Sequence, residues 1–298
     1  MLKINDSQVI YALAPNNKAV ETIEPGMRVE FATKDCFSNE IQSEKDLFES
    51  VGWATINPAT GPVYVQGAEP GDTLVVYIEG IEVADQGCMV TVPDMGAAGN
   101  LISKTETKII PIKNQQAIFN DKISIPIDPM IGVIGTAPAN DEIPCGTPGA
   151  HGGNMDTRLI KKGNTLYLPV NVTGALLAMG DLHAVMGDGE VSVTGVEISG
   201  KVTVKIDLIK GNREDWPVLE TQDSWYVIAS GEDLDEAADL ALKAMLEFLE
   251  KRTDLSINDR VSLLSAIGNL EICQVVDPLK TVRMGISKEI MKNYQLTF

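Results

Sequence analysis

The sequence is short of basic residues. Lys and Arg together number 24 against 42 Asp and Glu in 298 residues, which gives a formal net charge of −18. Nucleic acids and anionic membrane surfaces are both bound by basic protein surfaces. We therefore expect neither a nucleic acid nor a membrane as a partner, whereas a small neutral substrate would not be repelled by this charge.

Long apolar runs, a signal-like N-terminus and paired cysteine motifs are also missing. No apolar run approaches the length needed to cross a bilayer, and residues 1–6 lack the apolar region of a signal peptide. The four cysteines, Cys36, Cys88, Cys145 and Cys273, include no Cys-x-x-Cys pair, which argues against a thiolate zinc site. Reduced thiols and the lack of a signal peptide predict a cytoplasmic protein.

Histidine is scarce as well, and its scarcity directs attention to two stretches. The chain has only two histidines, His151 and His183, and each lies near glycines and carboxylates. Glycine lets the backbone come close to a bound group, and imidazole with carboxylate is a usual ligand set for zinc or a similar divalent ion. The two stretches therefore predict a metal site.

The distribution of apolar residues predicts an α+β fold that is mainly β. Stretches such as 27–33 and 201–208 alternate apolar and polar residues, as half-buried strands do. Apolar residues then recur at helical spacing between 234 and 249, where Ser230 and Asp233 resemble a capping box. Many strands followed by helices indicate a β-rich, roll- or sandwich-like core with a few flanking helices, the longest in the C-terminal third.

We expect a single domain over residues 1–298. The hydrophobic content of 44% suits a soluble globular protein with a full core. The β-rich core would span about residues 1–228, and a helical C-terminal part over about 230–298 would pack on it.

Asp181 and His183 stand two residues apart. In an extended chain their side chains project to the same face, so both can bind one ion. Alternatively, Asp181 caps a turn and His183 is a satisfied core histidine. Glu190 follows a predicted turn at Gly187–Gly189 and would lie near His183 across a hairpin. There it could be a metal ligand, a hydrogen-bond partner of a ligand or the base that activates a water.

The loop around His151 offers a different kind of chemistry. The backbone amides of Gly152 and Gly153 can stabilise an oxyanion, with Asn154 beside them. Asp156 can reach a metal or fix the loop. The alternative is a Gly-Gly turn with Asn and Asp as turn formers.

Glu142 and Cys145 lie on the same loop. Cys145 is the candidate nucleophile if the chemistry uses a thiolate. The alternative for Cys145 is a buried small apolar residue, which is the more common state of a cysteine.

Three stretches of the chain resemble the acetamidase/formamidase family. They are residues 57–72, residues 149–156, and Gly180–His183 together with Gly187–Glu190. Their order and spacing agree with that family, and the resemblance covers most of the chain, as far as about residue 285. In having a histidine at position 151, the chain resembles the shorter, acetamidase-like branch of the family.

The resemblance implies hydrolysis of short primary amides, such as acetamide or formamide, to the carboxylate and ammonia. It also implies a β-rich, roll-like core with flanking helices, a metal at the site and a homo-oligomer, a homodimer or larger. The pattern of Asp181, His183 and Glu190 carries over directly. The candidates that would complete the set of metal ligands are Asp35, His151 and Asp156.

The expected reaction is metal-dependent hydrolysis of short aliphatic amides by a metal-activated water. The expected ion is Zn²⁺, with room for a second ion such as Ca²⁺. Glu142 or Glu190 would move the proton from water to the leaving ammonia. The residues expected to hold the substrate are Asn57, Gly152, Gly153 and Asn154.

Two other classes of function stay open. One is a thiol amidase that uses Cys145, with structural histidines. The other is a non-catalytic, metal-bearing β protein that binds a small ligand.

Overall fold

The structure is a computed structural model that describes residues 1–298, except for the side chain of Trp53. In the first half of the chain the strands are β1 (Leu2–Ile4), β2 (Val9–Ile10), β3 (Ala12–Leu13), β4 (Glu21–Ile23), β5 (Arg28–Thr33), β6 (Ala59–Val65), β7 (Thr73–Val83), β8 (Gln86–Thr91), β9 (Glu106–Lys113), β10 (Gln116–Asn120), β11 (Ile123–Pro126) and β12 (Met130–Gly135). In the second half they are β13 (Ile143–Pro144), β14 (Gly152–Asn154), β15 (Thr165–Pro169), β16 (Leu177–His183), β17 (Glu197–Ile198), β18 (Gly200–Ile209), β19 (Val218–Glu220), β20 (Ser224–Gly231), β21 (Asn269–Gln274) and β22 (Lys280–Ser287). The α-helices are α1 (Leu234–Glu250) and α2 (Ile257–Ile267), and single 3₁₀ turns occur at Phe48–Ser50, Trp53–Thr55, Gly99–Leu101 and Lys292–Tyr294.

These strands form two large sheets and one small one. The first sheet has the order β1-β5-β18-β7-β15-β19-β20-β22-β21. The second has the order β11-β10-β9-β8-β17-β16-β12-β14, with β6 paired to β16 and with β2 and β4 paired to β6. The small sheet pairs β13 with β3. Strands dominate and the longer helix lies in the C-terminal third, so the predicted fold class, α+β and mainly β, is confirmed.

The main core lies between the two large sheets. On β18 the side chains of Val202, Val204 and Ile206 are buried, while the residues between them face outwards, as the alternating sequence predicts. Ile131 on β12 and Leu182 on β16 belong to the same core cluster. Face-to-face packing of this kind is how two sheets with one apolar face each remove those faces from water.

Strands β12 and β16 are unusual because every one of their residues is buried. They pair antiparallel, with Met130 beside His183 and Val133 beside Gly180. A buried central strand is normally apolar, yet β16 ends on Asp181, Leu182 and His183. The fold therefore carries two polar side chains into its interior.

The two helices cover the far end of the first sheet. Helix α1 buries Ala237, Ala241, Met245 and Phe248, which pack with residues of β20 and β22. The C-terminal part that the sequence predicts to be helical also contains β21 and β22, which extend the first sheet. Neither described helix is long and apolar enough to cross a membrane.

The start of α1 differs from the predicted capping box. Asp233 is the N-cap, and its Oδ1 accepts a hydrogen bond from the Glu236 N–H at 2.9 Å. The Glu236 carboxylate in turn accepts a hydrogen bond from the Glu232 N–H at 2.7 Å. Ser230 instead lies in β20, where its hydroxyl is 3.0 Å from that of Thr281. The cap is therefore Asp233 with Glu236, without Ser230.

We expect the Asp233→Ala change to lower the free energy of unfolding by about 1 kcal/mol, because it leaves an N–H of the first turn unpaired. The matched control is Asp239→Ala on the same helix, where the lost partner is the exposed Lys243. That change should cost about 0.5 kcal/mol or less. Urea unfolding of both variants measures the difference, and equal losses would contradict the assigned cap.

Candidate active site

A cavity of about 990 Å³ opens beside the end of β16. Most of its charged side chains are acidic, and the lining includes only one lysine among the described residues. The titratable carboxylates, amine and imidazole that line it are Glu142, Asp156, Asp181, His183, Glu190, Glu197, Asp277 and Lys280. Titratable groups that converge in a cleft are the usual mark of a functional site.

His183 is the centre of this acidic group. Its Nε2 atom lies 3.1 Å from Glu197 Oε2, 3.5 Å from Asp181 Oδ1 and 3.8 Å from Asp156 Oδ1. Each of these four residues is at most 2% exposed. Asp181 and His183 come from β16, Glu197 pairs with His183 from β17, and Asp156 follows β14. Three separate segments therefore meet around one imidazole.

Two glycines make this close approach possible. A Cβ on Gly132 would lie 2.5 Å from Asp156 Oδ1 and 2.7 Å from Asp181 Oδ2. A Cβ on Gly195 would lie 3.0 Å from the His183 ring. Any larger residue at either position would occupy the space that the polar side chains now fill.

Four residues of the cavity have a left-handed backbone although none is glycine. The φ angles are 54° at Asn57, 40° at Asp156, 54° at Asp181 and 44° at Glu190. This conformation costs roughly 1–2 kcal/mol for a residue with a side chain, and such outliers cluster at functional sites. Asp181 thus departs from the extended chain that the sequence suggested, while its carboxylate still points at His183.

Burial changes the acidity of the cluster. Loss of hydration raises the pKa of Asp156 to about 6 and that of Glu197 to about 8. Burial also raises the pKa of Glu190 well above its usual value, and the charge of Asp156 adds to this effect. Burial opposes a charge on His183, but Glu197 and Asp181 outweigh it, so the pKa of the imidazole is raised.

Several atoms of the cluster have no hydrogen-bond partner among the described protein groups. The buried atoms without a partner here include Asp156 Oδ1, Glu190 Oε2 and His183 Nδ1. A buried polar atom without a partner is costly. Two triads, Cys36 with Asp181 and Glu197, and Asp156 with His183 and Glu190, each have ligand atoms within 4.8 Å of one another. Sulfur, nitrogen and carboxylate oxygen donors at this spacing can hold a divalent cation.

A buried arginine holds the loop that carries Glu190. Arg283 on β22 is 1% exposed and donates to both carboxylate oxygens of Asp188 at 2.8 and 2.7 Å. Its Nε also donates to Glu271 at 2.6 Å. A two-point arginine–carboxylate contact fixes orientation as well as distance. Asp188 is therefore held to the last strand, two residues before Glu190.

The hairpin between β21 and β22 is attached to the same loop. The Gly189 N–H donates to the Cys273 carbonyl at 2.8 Å. Gln274 Oε1 accepts from the backbone N–H of Asp277 at 3.0 Å, and Asp277 Oδ2 accepts from Asn154 Nδ2 at 3.0 Å. These contacts bring Asp277 to the cavity opposite β14.

Asp35 and His151 lie outside both triads. Asp35 Oδ1 accepts from the N–H groups of Phe37 and Asn39, at 3.0 and 2.7 Å, and so forms a turn. Burial raises the pKa of Asp35 to about 6. His151 is buried, and burial lowers its pKa to about 4. The structure therefore places Asp156, Asp181 and His183 in these triads, whereas Asp35 and His151 belong to neither, although the charge of Asp181 acts on Asp35.

The Gly-Gly pair is explained by packing. Gly152 has a φ of 96°, and a Cβ there would lie 2.3 Å from the Ile134 carbonyl oxygen. The Gly152 N–H donates to the Gly149 carbonyl at 3.0 Å within the turn. Gly152 and Gly153 pair with β12 and are not among the described residues that line the cavity. This position favours the turn interpretation over the oxyanion one.

The remaining predicted residues fall into two groups. Asn57 and Asn154 line the cavity, as does Glu142, which is exposed. Cys145 is fully buried, and its Sγ lies 3.6 Å from the Ile10 carbonyl oxygen. Burial raises the pKa of its thiol to about 12, which favours the buried-residue interpretation because a thiolate is the nucleophilic form.

Sequence reasoning missed Cys36, Glu197 and Asp277. Glu197 stands between Val196 and Ile198, and a lone carboxylate inside an apolar run was a signal that could have been used. Asp277 lies after two valines and offers a weaker version of the same signal. Only the folded structure shows that Glu197 reaches His183 and that Cys36 and Asp277 line the same cavity.

We expect the metal-free chain to be less stable at about pH 8 than at about pH 5.5. At pH values between the usual carboxyl pKa, about 4, and the raised pKa values of Asp156 and Glu197, these two carboxyl groups are protonated in the folded state and ionised in the unfolded state. Folding then takes up protons, so stability falls as pH rises through this window. The raised pKa of His183 acts in the same direction, whereas the lowered pKa of His151 opposes it at pH values below about 6.5, the usual histidine pKa.

The midpoint of urea unfolding, measured across this range after chelator treatment, tests the expectation. The Glu197→Gln variant is the control, because it removes a carboxyl group that titrates within this pH range. The change of the unfolding midpoint with pH should therefore be smaller in this variant. A midpoint that rises with pH, or an unchanged slope in Glu197→Gln, would contradict the assigned environment.

Comparison with known proteins places these features in a family. A model of the acetamidase/formamidase family matches residues 5–144 and 142–291. An acetamidase from Bacillus halodurans has a similar structure, with a TM-score of 0.96 and 44% identity over 100% of both chains. A predicted acetamidase/formamidase from Thermoanaerobacter tengcongensis has a TM-score of 0.97 and 47% identity, covering 100% of this chain and 99% of the other.

More distant similarity extends to curated proteins. The acetamidase of Mycolicibacterium smegmatis is 26% identical over 271 residues, which cover 68% of this chain and 66% of the relative. The chain thus spans just under two thirds of the length of the first curated relatives it matches. The family model nevertheless covers both the strands from β2 onwards and the residues around His183. From the fold, the cavity and these matches together, the chain belongs to the acetamidase/formamidase family.

Proposed function

We propose that the protein hydrolyses linear primary amides, with a divalent cation held by the carboxylates around His183. The observation that carries the proposal is the set of buried, unpaired oxygens around this imidazole in the wall of a cavity. Family membership supports amide hydrolysis as the reaction. Acetamide and formamide are the first substrates to test.

The donor atoms of the cluster fit a divalent cation. Thiolate, imidazole and carboxylate are usual zinc ligands, and carboxylate oxygens also suit Ca²⁺. A bound divalent cation polarises an amide carbonyl and lowers the pKa of a bound water. We assign Zn²⁺ first, with room for a second ion such as Ca²⁺. The residues that would hold cations are Cys36, Asp156, Asp181, His183 and Glu197.

Glu190 is the proposed proton carrier. Its Oε2 is buried without a partner, and burial raises the pKa of its carboxyl, which makes the carboxylate a stronger base. The oxygen of a water forms a bond to the amide carbon, and Glu190 takes the proton. Glu190 then gives that proton to the amide nitrogen while the C–N bond breaks, which releases ammonia and the carboxylic acid. Glu142, exposed in the same cavity, is the alternative carrier.

Two asparagines are suited to orient the substrate. Asn154 donates to Asp277, which leaves its Oδ1 without a partner in the cavity wall. A free amide oxygen there can accept an N–H of the substrate amide. Asn57 lines the same cavity with a left-handed backbone. The mechanism does not use the Gly152 N–H, because that group is already bonded to Gly149.

The wider setting of the enzyme also belongs to the proposal. A cytoplasmic location rests on the sequence, and a homodimer or larger homo-oligomer rests on the family resemblance. The two competing functions are a thiol amidase that uses Cys145 and a metal-bearing β protein without catalysis. The burial of Cys145 weighs against the first.

The two histidines provide a matched test of the metal site. We expect His183→Ala to lose bound divalent metal and amide turnover together, because it removes a ligand at the centre of the cluster. His151→Ala should keep both while losing about 2–4 kcal/mol of stability as a buried large-to-small change. Elemental analysis, acetamide turnover and unfolding of the same preparations separate the two cases. Full activity in a metal-free preparation, or a His183→Ala protein that retains its metal, would refute the proposed site.

The Cys145→Ala variant tests the thiol alternative. Because the thiol is buried and protonated, we expect the variant to keep turnover within about threefold, with a modest stability loss of about 1 kcal/mol or less for a volume change this small. Loss of activity in a folded variant, together with a covalent acyl adduct on the wild-type protein in mass spectrometry, would show that Cys145 is the nucleophile.

A further inference from the structure

The cavity is much larger than a short amide requires. Its volume is about 990 Å³, and pockets of about 300–1,000 Å³ commonly bind drug-sized ligands. Acetamide bound at the carboxylates would leave most of this space filled with water. The shape of the remaining space therefore bears on which amides the enzyme prefers.

One side of the cavity is an apolar chamber. It is formed by Phe37, Phe48, Ile56, Val90, Met95 and Val193, all of which line the cavity and belong to one hydrophobic cluster or pack against it. The rings of Phe37 and Phe48 meet edge to face, with centroids 6.1 Å apart. Apolar walls of this kind favour apolar ligand groups, since each buried carbon is removed from water.

The chamber is continuous with the carboxylate cluster. Cys36 forms a triad with Asp181 and Glu197, and the next residue, Phe37, begins the apolar wall. The turn formed by Asp35 holds Phe37 next to Cys36, because the Asp35 carboxylate accepts a hydrogen bond from the Phe37 N–H at 3.0 Å. An amide group at the carboxylates would thus have apolar wall directly beside it.

The segment of the chamber that carries Val193 is also fixed in place. Ser192 Oγ donates to the Val90 carbonyl at 2.9 Å, and the Val90 N–H donates to Thr194 Oγ1 at 3.3 Å. These contacts on either side of Val193 hold the segment that carries it against β8. The apolar chamber is therefore a built part of the cavity.

We propose that the preferred substrates are neutral primary amides whose acyl group is an apolar chain longer than acetyl, seated in this chamber. The inference rests on the proposed function and names its substrate class. The chamber would accept the acyl chain between Phe37, Val90 and Val193 while the amide meets the carboxylates. The buried carboxylates disfavour anionic amides, because like charges repel at short range.

The test compares kcat/KM for acetamide, propanamide, butanamide and hexanamide with the metal-loaded full chain. Each methylene that enters the chamber should raise kcat/KM by about fourfold. Hexanamide should then exceed acetamide by about 200-fold, by the same transfer argument. Turnover of acetamide without a rise along the series would overturn this inference and leave the proposed function standing. No turnover of any amide would overturn both.

Two valines on one loop provide the matched variants. Val193→Trp places a large ring in the chamber, and we expect the hexanamide-to-acetamide ratio to fall at least about tenfold. Val191 is 62% exposed and is not among the described cavity-lining residues, so Val191→Trp should keep the ratio. If thermal unfolding shows that Val193→Trp does not fold, Met95→Trp probes the same chamber. A folded chamber variant that keeps the unmodified ratio would overturn the inference.

Discussion

The burial of several carboxylates around one imidazole is the constraint on which the cavity depends. Asp156, Asp181 and Glu197 lie within 4 Å of His183 Nε2, away from water. Burial raises the pKa of Asp156 and that of Glu197, and the charge of Asp181 adds to the rise of each. Such a group persists only where the surrounding packing fixes it, and here β12 and β16 are buried along their whole length.

The backbone adapts to this constraint in two ways. Gly132 and Gly195 leave room where a Cβ would collide with the carboxylates or the imidazole. Asp156, Asp181 and Glu190 adopt left-handed angles that a side chain normally disfavours. At this site both unfavourable backbone angles and glycines without a Cβ serve to bring polar atoms together.

The sequence predicted the features that depend on local pattern. Alternating strands followed by an apolar helical stripe predicted the fold class. The two-residue spacing of Asp181 and His183 predicted that both reach one site, although Asp181 does so with a left-handed backbone instead of the extended one. It did not reveal Glu197, because that residue reaches His183 only through the register of β17 on β16. The glycines beside His151 were misleading for a physical reason: close backbone packing and ligand contact both require glycine, and only the paired strands distinguish them.

The contact between Arg283 and Asp188 has a consequence for how the protein is made. Arg283 lies on β22, the last strand, whereas Glu190 and Asp181 lie far earlier in the chain. A nascent chain that has not yet released β22 from the ribosome lacks the guanidinium that holds the Glu190 loop. The Glu190 loop therefore gains this contact only after β22 has been synthesised, and a chain terminated before β22 carries the carboxylates of β16 and β17 without the guanidinium that holds Asp188.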